Sequence, residues 1–297
     1  MDVQTALASQ KPKHKKVKPL PYFLLAPVVI LLLVFTFYPF FRNIYLTFFV
    51  TNSLGEPGAY VGFRNYVRVF TDPSFAKIMK ATFRFAILIG VGTLSLAMFF
   101  AYLCIQKTKG SIIYQTMFTL PMALASVPIG AIARYLFSKY GLINALSGLD
   151  IAWLSTKETA IYCVALVTVW SNVGTSFLFL LVGFRNVSEE LVESSMIDGA
   201  SKFQRFFKIY LPIASPQVFF VVFLNILNSF QAYAIIRVLV GSGPSQTTNV
   251  LIYALYTNAL VNSRFETACV YSLILFALIF TVTRIQLLLE KKVVHYQ

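Results

Sequence analysis

The chain has 297 residues, 58% of them hydrophobic and 12% charged, with a mean hydropathy of +0.72. Soluble domains carry roughly 25% charged residues, so this composition excludes a water-soluble globular protein and implies an integral membrane protein, which the long apolar runs below make all-α and polytopic. The net charge of +14 does not point to nucleic acid, because the Lys and Arg residues form no groove pattern interleaved with aromatics and cluster instead at the ends of apolar runs, as topology signals do.

Residues 1 to 20 form a basic tail containing Lys11, Lys13, Lys15, Lys16 and Lys18, and an apolar run follows from Pro21 to Tyr45. That charge order is shared with signal peptides, but a signal core is only about 7–15 residues long and ends at a small-residue cleavage site. Neither condition holds. The run is therefore expected to remain as the first transmembrane helix, with its N-terminus in the cytoplasm, while the lysines also suit anionic membrane lipid. Residues 21–297 then constitute the transmembrane domain.

From Phe48 to Phe75 the chain turns polar, with Gly55, Pro57, Gly58 and Pro73 as turn signals of an external loop. The second apolar run, Ile78 to Ile105, carries Gly90 and Gly92, small residues that allow close helix packing. Lys107, Lys109 and Gly110 mark an inner turn. The third run, Ile112 to Phe137, holds Pro121 and Pro128, which membranes tolerate where neighbours satisfy the freed carbonyls. Ser138 to Lys157 reads as a second external loop with Trp153 as an interfacial anchor, and the fourth run, Thr159 to Val182, has Trp170, Asn172 and Thr175 near its centre.

Between the fourth and fifth runs lies a polar stretch, Ser188 to Pro216, SEELVESSMIDGASKFQRFFKIYLPIASP. Ser188 suits an N-cap, and Glu189 and Glu190 fall in the first turn, where they favour the positive end of the helix dipole. Gly199 is placed to close that helix in the left-handed conformation. A second helix is expected from Ser201, which has capping-box spacing with Gln204, and Leu211-Pro212 is expected to end it. Phe203, Phe206, Phe207 and Tyr210 fall on one face of this helix and Lys202, Arg205 and Lys208 on the other. By itself such a helix fits an amphipathic segment lying on the inner membrane surface.

The fifth run, Ile213 to Val240, includes Asn225, Asn228 and Gln231 at mid-depth. A third external loop runs from Gly241 to Glu266, and the last run, Thr267 to Leu289, returns the chain to Lys291 and Lys292. The count is about six transmembrane helices at roughly 20 residues each, with both termini cytoplasmic. Because Arg64, Arg68, Lys77 and Lys80 fall outside, the orientation rests mainly on the first lysine cluster.

Catalytic chemistry finds little support. Cys104, Cys163 and Cys269 each sit in an apolar run without CxxC spacing, and His14 and His295 lie in the tails. There is no GxxxxGK[ST] phosphate loop, so ATP chemistry must belong to another chain. Neither a catalytic residue, a metal site nor a cofactor is expected. A carrier driven by protons or sodium shows ionisable residues at membrane depth, and here only Arg134 and Arg237, near run ends, approach that description.

Three stretches carry a family resemblance. Glu193, Ser194, Ser195, Asp198, Gly199, Ala200, Leu211 and Pro212 resemble the cytoplasmic "EAA" loop of ABC importer permeases, with both alanines replaced by serines that keep the small volume. VGFRNYVRVFTDPSF, Val61 to Phe75, is similar to the "VGLxNFxxLFxDPxF" element of sugar-type permeases, and GSGPSQTTNVLIYALY, Gly241 to Tyr256, to their "GGGPxxxTxxLxxYxY" element. The resemblance, to the sugar and glycerol-phosphate branch, implies the permease subunit of an ATP-driven importer for a carbohydrate or related polyol, with oligosaccharide and glycerol 3-phosphate among the candidates, in a bacterial cytoplasmic membrane. It implies as partners a second permease subunit, two ATPase subunits and an extracellular or periplasmic solute-binding protein. Residues 184–212 would be the loop carrying the coupling helix, between transmembrane helices 4 and 5. It also offers a kinked third helix beside the transport path, against simple packing. Trp170, Asn172, Asn225, Asn228 and Gln231 fit either a substrate pathway or interhelical hydrogen bonding. The rival readings are a secondary transporter or channel working without an ATPase, and an intramembrane enzyme, which the lack of mid-depth His or Asp disfavours.

Overall fold

A computed structural model describes residues 20–105 and 111–293. The tail lysines, Lys107, Lys109, His14 and His295 lie outside the described residues. Two compact units divide between Tyr45 and Leu46. The first contains α1 (Leu20–Leu32) and all but the last residue of α2 (Tyr38–Leu46), joined by a π-turn at Leu33–Phe37. Its apolar stretch, Phe23–Leu46, is long enough to cross a membrane.

The second unit opens with an antiparallel hairpin, β1 (Phe49–Thr51) and β2 (Pro57–Tyr60). Asn52 Oδ1 accepts the backbone N–H groups of Leu54 and Glu56, and Gly55 takes the positive φ that the tight turn needs. Helix α3 (Arg64–Thr71) follows, held to the hairpin by Asn65, which donates to the carbonyls of Thr47 and Phe49 at 2.9 Å each. The first polar stretch is thus a folded cap rather than an open loop. Helix α4 (Pro73–Leu103) starts where Asp72 Oδ1 accepts from Ser74 N at 2.7 Å, with Pro73 in the first turn, where a missing N–H costs nothing.

The third apolar run does not form a plain span. Helix α5 (Ser111–Thr119) passes into a 3-10 turn, Leu120–Ala123, and α6 (Ser126–Leu136) leaves at 102°. Leu124 and Ala125 are extended at the break, while Pro121 starts the 3-10 turn and Pro128 lies in the first turn of α6. Pro128 therefore occupies a position whose N–H would be orphaned anyway, whereas Pro121 follows α5 directly and coincides with its tightening into the 3-10 turn. Helix α7 (Leu142–Ser147) then fills part of the second polar stretch. Trp153 is anchored inward there, its Nε1 donating to Asn144 Oδ1 at 2.6 Å, and Asn144 Nδ2 donates in turn to the carbonyls of Lys139 and Ile151.

Helix α8 (Ala160–Arg185) is the central element: 61% of its apolar window is buried, against 22% for α4. At 26 residues it is about 39 Å long, enough to cross a hydrocarbon core of about 30 Å. Gly92 allows α4 to approach it, since a Cβ there would lie 2.9 Å from Val169 Cγ2. Gly90 has no such role, because a Cβ would meet nothing within 4 Å. After α8 come the short helices α9 (Glu189–Ile197), α10 (Lys202–Arg205) and α11 (Leu211–Ile213), then α12 (Ser215–Phe230) and α13 (Tyr233–Leu239). The third polar stretch contains α14 (Leu251–Leu260), a helix where a loop is expected from sequence. It is anchored by Leu251 N donating to Thr82 Oγ1 at 2.8 Å. The last helix is α15 (Phe265–Val293).

Among the described residues four helices are long and apolar enough to span, and the number reaches six if each bent pair counts as one span. Two apolar clusters lie along α8. Phe85, Ile89, Ile161 and Val164 pack with Ile236 and Leu239 toward its N-terminal end, and Ala97, Ala101, Phe177 and Phe184 pack with Tyr210 and Ala214 toward its C-terminal end. Cys104, Cys163 and Cys269 are all buried, as expected of small apolar residues.

Candidate functional site

The segment from the end of α8 to the start of α12 combines a buried base with an exposed crest. At the base, Phe184, Val187 and Tyr210 are buried in the cluster that includes Ala101 and Cys104. Tyr102 joins α4 to the loop, its ring edge-on to Phe206 and Tyr210 and its hydroxyl donating to the Lys202 carbonyl at 3.2 Å. Arg185 Nη2 donates to the Cys104 carbonyl at 3.1 Å, satisfying an orphan acceptor at the C-terminal end of α4. The loop is thereby fixed to the ends of both long helices.

Helix α9 begins at Ser188, which has the extended backbone of an N-cap but makes no side-chain capping bond. Glu189 and Glu190 in the first turn supply the stabilisation instead, through the helix dipole. Its other end is closed fully. Gly199 has φ +77°, its N–H donates to Met196 O at 3.1 Å, and Ala200 N donates to Ser195 O at 2.9 Å, the paired bonds of a Schellman closure. Ser195 is buried and donates its hydroxyl to Val192 O at 2.6 Å, so the serine behaves as a small residue with its polar group already satisfied. Ser194, Glu193 and Asp198 face outward.

The second helix begins as its sequence requires, with a reciprocal capping box: Gln204 Oε1 accepts from Ser201 N at 2.8 Å and Ser201 Oγ accepts from Gln204 N at 3.2 Å. Its end differs from expectation. Leu211 is helical (φ −66°, ψ −45°) and the chain continues through Pro212 to Ala214, where it bends by 78° into α12. The reason is a π-turn over Phe206–Tyr210, in which Leu211 N donates to Phe206 O. This wider turn shifts the hydrogen-bond register just before a proline that has no N–H and whose ring would crowd the carbonyl four residues back. The aromatic stripe divides accordingly: Tyr210 is buried and Phe206 partly so, while Phe203 and Phe207 stay exposed with ring centroids 4.5 Å apart.

Sequence reasoning missed the apolar crest of α9. Leu191, Met196 and Ile197 are exposed, Ile197 by 87%, in a helix whose other outward groups are Glu189, Glu190, Glu193 and Ser194. A cavity of about 340 Å³ lies beneath, bounded by Arg185, Glu189, Glu193, Met196 and Tyr210. The short apolar positions of α9 show no clear period, so the only signal was an isoleucine next to Asp198 and a glycine.

The polar residues of the apolar runs are spread out. Trp170 lines an apolar cavity with Leu124, Ile129 and Leu136, whereas Asn225 borders a different one with Phe83, Gly90 and Ile226. Asn172 is half-buried on α8, and Asn228 and Gln231 are exposed at the end of α12. Asn225 is buried, accepting from Ser176 Oγ at 3.3 Å, and among the described residues its Nδ2 has no partner. Because an unsatisfied buried donor carries a desolvation cost of about 1–3 kcal/mol, Asn225→Leu is expected to leave thermal stability unchanged or raised. A fall of several degrees in the melting temperature of the purified variant would show that Asn225 is a structural hydrogen-bonding residue.

The description "Binding-protein-dependent transport system inner membrane component" belongs to the family model that matches residues 93–295. A permease protein of Brucella abortus biovar 1 (strain 9-941), UgpA of an sn-glycerol-3-phosphate transport system, is 29% identical over 286 residues, covering 94% of this chain and 97% of its own length. The UgpA of Yersinia pestis is 30% identical over 284 residues, with 94% and 96% covered. Among solved structures, a chain of a bacterial alginate ABC transporter in complex with an alginate pentasaccharide-bound periplasmic protein superimposes with a TM-score of 0.80. It is 20% identical, and 92% of this chain and 94% of that chain are covered. At that identity the likeness shows the fold.

Proposed function

This chain belongs to the family of binding-protein-dependent transport system inner membrane components, and on that premise we propose that α9 is the coupling helix by which an ATPase subunit drives it. The observation that carries the reading is the exposed apolar crest Leu191, Met196 and Ile197 on a helix closed at Gly199 and rooted on α4 and α8. Exposed apolar groups on a rigid, partly charged helix suit a groove in a partner protein. Residues 184–212 are the coupling segment of a transmembrane domain spanning 21–297, residues 1–20 form its basic tail, and both termini are cytoplasmic. Glu193, Ser194, Ser195, Asp198, Gly199, Ala200, Leu211 and Pro212 are its matching residues: Gly199 sets the turn, Ser195 keeps the base narrow, and Glu193 and Asp198 face the partner.

The mechanism is mechanical. Closure of the ATPase pair on ATP displaces α9, and the displacement reaches the spans through two links, the Arg185 bond to Cys104 and the ring contacts of Tyr102 with Phe206 and Tyr210. A transition of this kind requires different contacts in the two states, which a frayed loop could not impose. The UgpA relatives belong to sn-glycerol-3-phosphate transport systems, which supports a polyol derivative or carbohydrate as the solute here. A second permease subunit, two ATPases and an external solute-binding protein complete the importer. Hydrolysis resides in the ATPases.

The test is Ile197→Glu. Its side chain is exposed, so the folded chain should change stability by less than about 0.5 kcal/mol. Burying an isoleucine at an interface is worth about 1.5–3 kcal/mol, and capture of the ATPase should weaken by roughly ten- to a hundredfold. Full retention of the ATPase on co-purification would remove α9 as the docking element.

A further inference from the structure

Arg134 and Arg237 have no part in the coupling segment, yet the fold brings them to one cavity. Each lies in the last turn of a short helix, Arg134 on α6 and Arg237 on α13. The two helices are in close contact because Gly130 admits Val238: a Cβ on the glycine would lie 3.0 Å from Val238 Cβ. Arg134 Nη1 reaches across to the Val238 carbonyl at 3.5 Å, and Arg237 Nη1 is hydrogen-bonded to the Tyr233 hydroxyl. Together with Lys139 and Ser155 they line a cavity of about 530 Å³. Ala152 and Leu154, which precede α8, also line it, so it opens at the end of α8 opposite the α9 loop.

The charge balance of this cavity is one-sided. Asp150 pairs with Lys139 at 3.6 Å, and Lys157 with Glu158 at 3.6 Å. Among the described residues neither Arg134 nor Arg237 has a carboxylate within ion-pair distance. The C-terminal ends of α6 and α13 stabilise both cations through their dipoles without cancelling the charge. Two guanidiniums, each with donors to spare, in a concave site with hydroxyls and backbone carbonyls at its edge match a small anion that also carries hydroxyl groups.

We propose that this cavity is a reception site for a small hydroxylated anion, a sugar or polyol phosphate or a uronate, at the outer end of the transport path. The proposal rests on the importer reading and narrows its solute to the anionic class. Uncancelled positive charge would favour transfer of such a solute from the solute-binding protein to the mouth and would weaken as salt is added.

The experiment uses the full chain in nanodiscs of phosphatidylcholine, with Ser155→Cys carrying an environment-sensitive fluorophore. The three native cysteines are buried, which favours labelling at position 155. The probes are sn-glycerol 3-phosphate and glycerol. The expected result is a saturable, salt-sensitive response to the phosphate at concentrations at least about tenfold below any response to glycerol, weakened about tenfold or more by Arg134→Gln and by Arg237→Gln. Equal responses to the two probes, or an unchanged response in the double variant, would overturn the proposal. A second arm replaces part of the lipid with phosphatidylglycerol. The phosphate titration should be preserved there, and its abolition would identify a lipid-headgroup site and overturn the proposal as well. No ATPase is present, so a silent cavity leaves the docking of α9 untouched, and loss of docking leaves this titration interpretable.

Discussion

Gly199→Val is expected to lower solute uptake by about tenfold or more while the chain still inserts in the membrane. At φ +77° a Cβ would meet no atom within 4 Å, so the main effect is backbone strain and not a clash. A non-glycine residue in the left-handed region costs on the order of 1–3 kcal/mol, and a β-branched residue stands at the upper end. The Schellman bonds from Gly199 and Ala200 to Met196 and Ser195 would open before the spans are disturbed, because the buried base at Phe184, Val187 and Tyr210 does not include the glycine. The last turn of α9, with Ile197 on it, would then fray. Gly199→Asn is the matched control, since asparagine tolerates this conformation, and it should restore most of the uptake. Equal uptake by the valine and asparagine variants would show that the closure has no role in coupling.

Gly174→Leu should have the larger effect on the folded protein, a destabilisation of about 3 kcal/mol. A Cβ at Gly174 would lie 3.1 Å from the Phe118 carbonyl oxygen and 3.2 Å from Thr119 Cα. Both are backbone atoms at the entry to the 3-10 turn, where no side chain can rotate away. The longer leucine would force the α5 end off α8 and disturb the ring stack of Phe118 on Phe100, now 4.1 Å between centroids. Gly90→Leu is the comparison, because that position has open space. Thermal unfolding of both variants in detergent decides the matter: a sharp drop is expected for position 174 alone, and equal midpoints would contradict the packing of the broken third run on α8.

Much of the architecture could be read from the chain because α4, α8 and α15 are continuous apolar runs, each ended by charge or glycine. The breaks were less legible, although the family resemblance offered a kinked third helix at the run that holds Pro121 and Pro128. Apolar composition continues across Leu124-Ala125 and across Ala214, and hydropathy does not record a bend. The prolines misled in a particular way: Pro212 was expected to stop a helix, but a π-turn over Phe206–Tyr210 admits it, and the bend falls two residues later. Helix α14 was hidden because a mostly apolar stretch of ten residues falls below the length of a span. In the α9 loop the local chemistry was visible, since Ser201 with Gln204 and Gly199 are short-range signals. Which apolar side chains lack a partner depends on tertiary packing, so Ile197 was not found. Asn228 and Gln231 lie at the C-terminal end of α12, which stops at Phe230, where the fifth run was read as one straight span.

The central claim is that an ATPase docked on α9 drives this chain, and reconstitution tests it most directly. Uptake of labelled sn-glycerol 3-phosphate would be followed in proteoliposomes containing the chain, its partner permease and the solute-binding protein, with and without the ATPase. Uptake that requires both ATP and the ATPase, and that falls at least about tenfold with Ile197→Glu, is the predicted result. Uptake of the same solute without the ATPase, driven by a proton or sodium gradient, would contradict the account.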